Sequence, residues 1–151
     1  MRWLSHDINM FVQAKEYVDT AILPLVPLDF SGSIKNIVQT GESTMTVATA
    51  LEREYQGRVF LIPTFHYWVE QDMNLTIKDL QSWIEKLKKA GFEKVFLLSC
   101  DNEWRLVEKE LELPLLWLPS FSLDHIDDKH KKSYIDNQLA QLSPYLMRAW
   151  N

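Results

Sequence analysis

Residues 58–104 read RVFLIPTFHYWVEQDMNLTIKDLQSWIEKLKKAGFEKVFLLSCDNEW. Val59-Phe60-Leu61-Ile62 and Val95-Phe96-Leu97-Leu98 are short, unalternating apolar runs, the pattern of strands buried on both faces. Between them Thr76 and Asp79 form a near capping box. Ile77, Leu80, Trp83, Ile84 and Leu87 then recur on one helical face until Gly91 stops the helix. Strand, crossover helix and strand make a βαβ unit, which commits the chain to an α/β fold with a parallel sheet. Such sheets bind ligands outside the carboxyl ends of their strands, so residues 64–67 and 99–103 are the first places to look for chemistry.

Upstream of this unit, Asp7 caps a helix carrying Ile8, Phe11, Val12 and Val18, and Ala21–Val26 predicts a strand. Pro24 and Pro27 each lack a ladder donor, so the strand is expected to be short, with Pro24 near its exit. Ser31-Gly32-Ser33 opens a helix with Ile34, Ile37 and Val38, which Gly41 interrupts. Val47, Ala48, Leu51 and Tyr55 resume the pattern up to Gly57. Downstream, Asn102 caps a short helix with Leu106, Val107 and Leu111, and Leu115–Leu118 between Pro114 and Pro119 reads as a fourth strand. Asp127 or Asp128 begins a helix with Tyr134, Ile135, Leu139 and Leu142, and Ser143-Pro144 starts a further turn or short helix. The order αβααβαβαβα predicts one three-layer α-β-α domain spanning residues 1–151, with a mostly parallel sheet of about four strands. No repeat or Gly/Ser linker divides the 151 residues, and 46% hydrophobic content suffices for a substantial core.

Net charge is −5, and basic residues cluster only as Lys86, Lys88, Lys89 and as Lys129, Lys131, Lys132, both read as solvated helix faces. A nucleic-acid partner needs a concentrated basic stripe, so none is expected. Cys100 is the single cysteine, which excludes an internal disulfide and a Cys-rich zinc site and suits a reducing, cytoplasmic setting. No stretch has the roughly 18 apolar residues of a membrane span, and the first residues lack a signal-peptide pattern.

Four places carry side chains with chemical potential. Asp29 and Ser31-Gly32-Ser33 precede a helix, where free N–H groups favour an anion such as phosphate, although the P-loop ending is absent and ordinary turn and capping chemistry is the plainer role. His66, beside Thr64, Phe65, Tyr67 and Trp68, is a candidate base or metal ligand; packing among aromatics is the plainer role, and the aromatics themselves suit a contact surface. Asp101 and Glu103 are candidates for acid–base work or a hard metal, against simple helix capping. Cys100 at a helix start is either a nucleophile or a buried, inert thiol. His125 and His130 lie five apart, on different sides of a helix, and do not form a zincin pair.

Met1-Arg2-Trp3, the segment Lys15-Glu16-Tyr17-Val18-Asp19-Thr20-Ala21 and the overall length resemble the YpiF-like family of uncharacterised proteins from spore-forming bacteria. A more distant likeness is to creatininase-type amidohydrolases, through Ile22-Leu23-Pro24, Leu61-Ile62-Pro63 and Ala90-Gly91-Phe92-Glu93-Lys94-Val95. That likeness implies an α/β scaffold of a metal enzyme. Its Glu-Gln-His-Gly signature is replaced by Leu25-Val26-Pro27-Leu28-Asp29, and its Asn-Gly-His-Gly-Gly-Asn loop by Ser99-Cys100-Asp101-Asn102-Glu103-Trp104, which implies loss of the dinuclear site.

With no catalytic signature and with six Trp, five Tyr and seven Phe, the first expectation is a non-catalytic cytoplasmic protein acting through a protein partner or self-association, without cofactor. One alternative is a small metal-dependent hydrolase or ligand-binding protein using Zn or Mn with Asp29, His66, Asp101 and Glu103. The other is an anion or nucleotide binder at Ser31, Gly32 and Ser33.

Overall fold

The computed structural model describes all residues, Met1–Asn151. Its elements are α1 (Ser5–Gln13), β1 (Thr20–Leu28), α2 (Ile34–Glu54), β2 (Val59–Leu61), β3 (Phe65–Trp68), α3 (Met73–Lys89), β4 (Lys94–Ser99), α4 (Asn102–Leu106), β5 (Leu115–Trp117) and α5 (Asp128–Trp150). All strand pairs are parallel, in the order β2-β1-β4-β5, with β3 continuing along β1 beyond the end of β2. The sheet therefore holds five strands in four positions, one strand more than the sequence pattern predicts.

The extra strand arises from a break at Pro63. Thr20 pairs with Val59, whereas Leu25 pairs with Phe65, so one additional residue is taken up between Leu61 and Phe65, as in a bulge. The same break explains why β1 runs straight through both prolines instead of leaving the sheet at Pro24. Thr20 N donates to Arg58 O, Ile62 N to Ile22 O and Val69 N to Leu28 O, so even-numbered residues of β1 turn their backbone groups toward the β2/β3 edge. Pro24 points into the gap between β2 and β3. Pro27 faces the other neighbour, where pairing with β4 ends at Pro24 and Leu98. Each missing donor falls where the ladder has no acceptor waiting.

Helices cover both faces. Leu23, Leu25, Phe60, Val95 and Leu97 pack with Ile77, Leu80 and Ile84 of α3 and Trp104 of α4, and Ile8 and Phe11 of α1 rest against this cluster. On the opposite face Ile22, Val59, Phe96 and Leu98 meet Val47, Ala48 and Leu51 of α2 and Leu139, Leu142 and Leu146 of α5. Burial of both faces is why the strand runs do not alternate.

Several helix boundaries differ from the sequence expectation. α2 is continuous through Gly41, because a Cβ there would come within 3.1 Å of Val26 Cγ1; the glycine marks close helix–strand approach, not a stop. α3 is capped by Asp72, whose carboxylate accepts from Asn74 N, one turn before the Thr76–Asp79 pair. It stops as expected at Gly91, whose φ of 108° suits only glycine. Asp7 does not cap α1: the cap position is Leu4, and Asp7 instead accepts from Arg2 N at 2.8 Å. Asp101, not Asn102, caps α4. α5 begins after Asp127 as expected but carries Pro144 within it, its last turns held by Leu142 and Leu146 on the core.

The first residues join the sheet edge. Met1 O accepts from Leu61 N at 2.7 Å, and the Met1 ammonium lies 3.0 Å from Glu52 Oε1 and 2.7 Å from Val59 O. Glu52 Oε2 is 3.4 Å from Arg2 Nε. At the same end of the sheet, Trp150 Nε1 donates to Thr20 Oγ1 at 2.8 Å, pinning the end of α5 to the start of β1.

Candidate functional site

The chain leaves β1 toward β2 on one side and leaves β4 toward β5 on the other, so the topological switch point lies between β1 and β4. In an open α/β sheet that crevice is the default binding place. Here it is filled. The Tyr67 hydroxyl donates to Asp101 Oδ2 at 2.6 Å, and its ring meets the fully buried Trp104 edge to face at 5.1 Å. Trp117 Nε1 donates to Asp101 O at 3.1 Å, and the Arg105 guanidinium lies 4.7 Å over the Trp117 ring. Burial, and then the neighbouring Asp101 charge, push the pKa of the Tyr67 hydroxyl far above its ordinary value, so it keeps its proton and donates the hydrogen bond to the carboxylate.

Asp101 is thereby committed three ways. It accepts Tyr67 through one oxygen and Glu103 N through the other at 3.1 Å, while its own N–H donates to Ser99 Oγ at 2.9 Å. Asp101→Ala is expected to destabilise the fold by about 3 kcal/mol, roughly 2 from a buried hydroxyl left without a partner and about 1 from the lost cap. Urea unfolding checks this; unchanged stability would return Asp101 to the list of free carboxylates.

The other candidates do not gather around it. Asp29 is half-buried at the exit of β1, accepting from Ser31 N at 2.9 Å and Ser31 Oγ at 2.8 Å, bonds that lower its pKa from the ordinary carboxylate value. The Ser31-Gly32-Ser33 turn thus already bonds an anion of its own chain, using a donor an incoming phosphate needs. His66 lies on the exposed face of β3, Nε2 2.7 Å from Thr64 Oγ1, and Glu103 is exposed on α4. No three His, Cys, Asp or Glu side chains are grouped to hold a metal ion. Of the aromatics flanking His66, Phe65 and Tyr67 are core residues and only Trp68 is exposed.

Cys100 is buried beneath α2, its N–H donating to Thr44 Oγ1 at 3.1 Å. Burial pushes its thiol up to about 11, so at pH 8 about one molecule in a thousand carries the thiolate. Native protein is expected to resist iodoacetamide at that pH and to react fully once unfolded, as read by mass spectrometry. The unfolded thiol ionises near 9.0, so stability is unaffected below that pH and falls as pH rises from 9 toward 11. Between pH 9 and 10, below the range where Tyr67 also contributes, the fall in thermal stability should be smaller in Cys100→Ala.

A predominantly apolar opening lies elsewhere, between α1, α3 and the β2 edge. It encloses about 550 Å³, with Trp3, Phe11, Phe60, Ile62, Trp83, Leu87, Ala90 and Phe92 as its apolar lining. Phe11 and Phe60 meet edge to face at 4.9 Å, and Phe11 stacks on Phe92 at 6.0 Å, giving a preformed aromatic floor. Trp3 is 67% exposed and Trp83 38% exposed at its margins. Lys15 and Lys86 are its only charged lining residues. At Trp83 and Lys86 it meets a smaller, more polar opening of about 390 Å³ containing His66, Trp68, Gln71 and Ser82. α1 contributes no fully buried residue, so one wall of the groove is a lightly anchored helix.

The sequence pattern does not reveal this groove. Trp83 falls on the apolar stripe of α3 and reads as core, and only the fold brings residues 3, 11, 60 and 92 together.

Residues 9–150 match the family described as "Protein of unknown function (DUF2487)". The chain belongs to the DUF2487 family. A member-like relative, "Uncharacterized protein YpiF" of Bacillus subtilis (strain 168), is 32% identical over 151 residues, covering 100% of this chain and 99% of the relative. The YpiF-like resemblance carried by Met1-Arg2-Trp3 and the Lys15–Ala21 segment therefore extends along the whole length of the DUF2487 chain. No solved structure matches, so the creatininase likeness rests on the short sequence stretches alone. No helix is long and apolar enough to cross a membrane.

Proposed function

We propose that this DUF2487 protein is a non-catalytic cytoplasmic module that binds a protein chain through the groove between α1, α3 and β2. The observation that carries this reading is the pairing of two facts about apolar surface. The strand exits, where an α/β enzyme keeps its pocket, are packed with Tyr67, Trp104 and Trp117, while an aromatic groove at the sheet edge is left uncovered. An open apolar concavity rimmed by tryptophan and lysine has the composition of a protein-contact site. Asp29, His66, Asp101 and Glu103 share no common cavity with it.

Trp3 and Trp83 are the expected anchors, because large aromatics at the margin of a desolvated pocket dominate interface energetics. Trp3→Ala and Trp83→Ala are each expected to weaken partner binding by about 2 kcal/mol, roughly thirtyfold. Trp3 is mostly exposed, so its removal should change the melting temperature little, whereas Trp83 meets the buried Phe65 edge to face at 5.4 Å and its removal should lower it. The check is co-purification of tagged wild type and variants from the native host, quantified for every retained protein. A partner retained equally by wild type and the double variant would contradict the assignment to this groove.

A further inference from the structure

We propose that the groove receives the acidic turn after β4 of a second copy of this chain, with Leu106 as the anchor; this rests on the groove being an interaction site. Leu106, on α4, is 78% exposed and is followed by Val107-Glu108-Lys109-Glu110-Leu111-Glu112. Trp104 and Leu111 are buried on the core and fix the turn, so Leu106 projects from a rigid base among the exposed Glu103, Glu108 and Glu110. Arg105 is engaged over Trp117, leaving Lys109 as the remaining cation of the turn.

The two surfaces are complementary. One is an apolar concavity whose only charges are Lys15 and Lys86; the other is an apolar protrusion ringed mainly by carboxylates. They also lie where a closed pair requires them. Groove residues Phe11, Phe60 and Phe92 and turn residues Trp104, Val107 and Leu111 all pack on the same face of the sheet. The groove sits at the β2 end of the strand order, and the turn joins β4 to β5 at the other end. In the proposed dimer a two-fold axis pairs each turn with the other copy's groove, so both contacts form at once and no surface is left to propagate a fibre.

Analytical ultracentrifugation of the full chain over a concentration series tests this. Wild type is expected to form a dimer. Leu106→Asp, and separately Glu108→Lys with Glu110→Lys, should raise the dimer dissociation constant at least about tenfold while leaving the circular dichroism spectrum unchanged, because all three positions are exposed. Adding Lys15→Glu and Lys86→Glu to the Glu108→Lys, Glu110→Lys chain should restore dimerisation through the reversed charges. A dimer indifferent to all these changes would overturn the proposal by placing the contact elsewhere. A wild type that stays monomeric would also overturn it. In that case a fluorescent peptide of residues 102–112 and a control with Leu106→Asp, titrated onto the protein, separate the two readings: selective binding keeps the groove as a site for another chain, whereas no binding by either removes that support as well.

Discussion

Trp104→Ala is expected to lower the unfolding free energy by about 4 kcal/mol, enough to leave a domain of ordinary stability partly unfolded at 37 °C. Trp104 is the largest fully buried side chain, joining α4 to the sheet through the first core cluster and meeting Tyr67 edge to face. Alanine leaves a cavity beside the Tyr67–Asp101 hydrogen bond, and the surrounding strands are too well packed to close it. The indole N–H of Trp104 makes no well-formed hydrogen bond despite complete burial, having only a weak interaction with the Tyr67 hydroxyl. Phenylalanine therefore removes a poorly satisfied donor as well as volume, and Trp104→Phe should cost under about 1.5 kcal/mol. Denaturant midpoints of the two variants at equal slope measure the contrast. Equal losses would mean that the indole nitrogen contributes to stability, through the Tyr67 hydroxyl beside it.

Glu52→Ala is the second large expectation, a loss of about 3 kcal/mol. Glu52 is 5% exposed, and its two oxygens receive the Met1 ammonium and Arg2. Removing the carboxylate leaves a buried ammonium with carbonyl partners only, and a buried charge stripped of its counter-ion costs about 3–5 kcal/mol. Val59 O remains at 2.7 Å from the ammonium, which places the expected value at the lower end. Glu52→Gln keeps acceptor oxygen without charge and should fall between alanine and wild type. Arg2→Ala, removing the more exposed partner, should cost less than about 1 kcal/mol. Thermal and urea unfolding of chains beginning at Met1 give these values.

The fold was legible wherever apolar spacing alone determines structure. The runs at 59–62 and 95–98, the helix face through Leu80 and Ile84 and the stop at Gly91 all appear as expected, because each reflects burial or backbone geometry local to the residues concerned. The structure departs from the local pattern where a residue's usual effect depends on a distant neighbour. Pro24 does not end β1, because the opposing edge is broken at Pro63, 39 residues later in the chain. Gly41 does not end α2, because its small size serves contact with Val26. β3 was readable in part: Phe65 and Tyr67 alternate with His66 and Trp68, a two-residue period obscured by Pro63 and the polar Thr64.

The candidate site depends on distant partners still more than the fold does. Asp101 was legible as a cap, since a carboxylate at a strand exit before a helix has that local use. Its bond to Tyr67 was not, because 34 residues separate the partners. The groove is wholly non-local: α1, the β2 edge and the end of α3 each contribute residues whose spacing in sequence carries no common signal. Leu106 reads as an apolar position of a short helix, and only its exposure marks it as surface.

The most direct test of the account is site-specific crosslinking from the groove. A photo-reactive benzoylphenylalanine placed at position 83 in the native host should join the protein to one defined chain on irradiation, and the same group at the exposed Asp136 of α5 should not. Peptide mapping of the product identifies that chain, with a contact at residues 102–112 expected if it is a second copy. An irradiated position 83 that yields no crosslinked species, or only the diffuse products also seen from position 136, would contradict the assignment of this groove as the working surface of the protein.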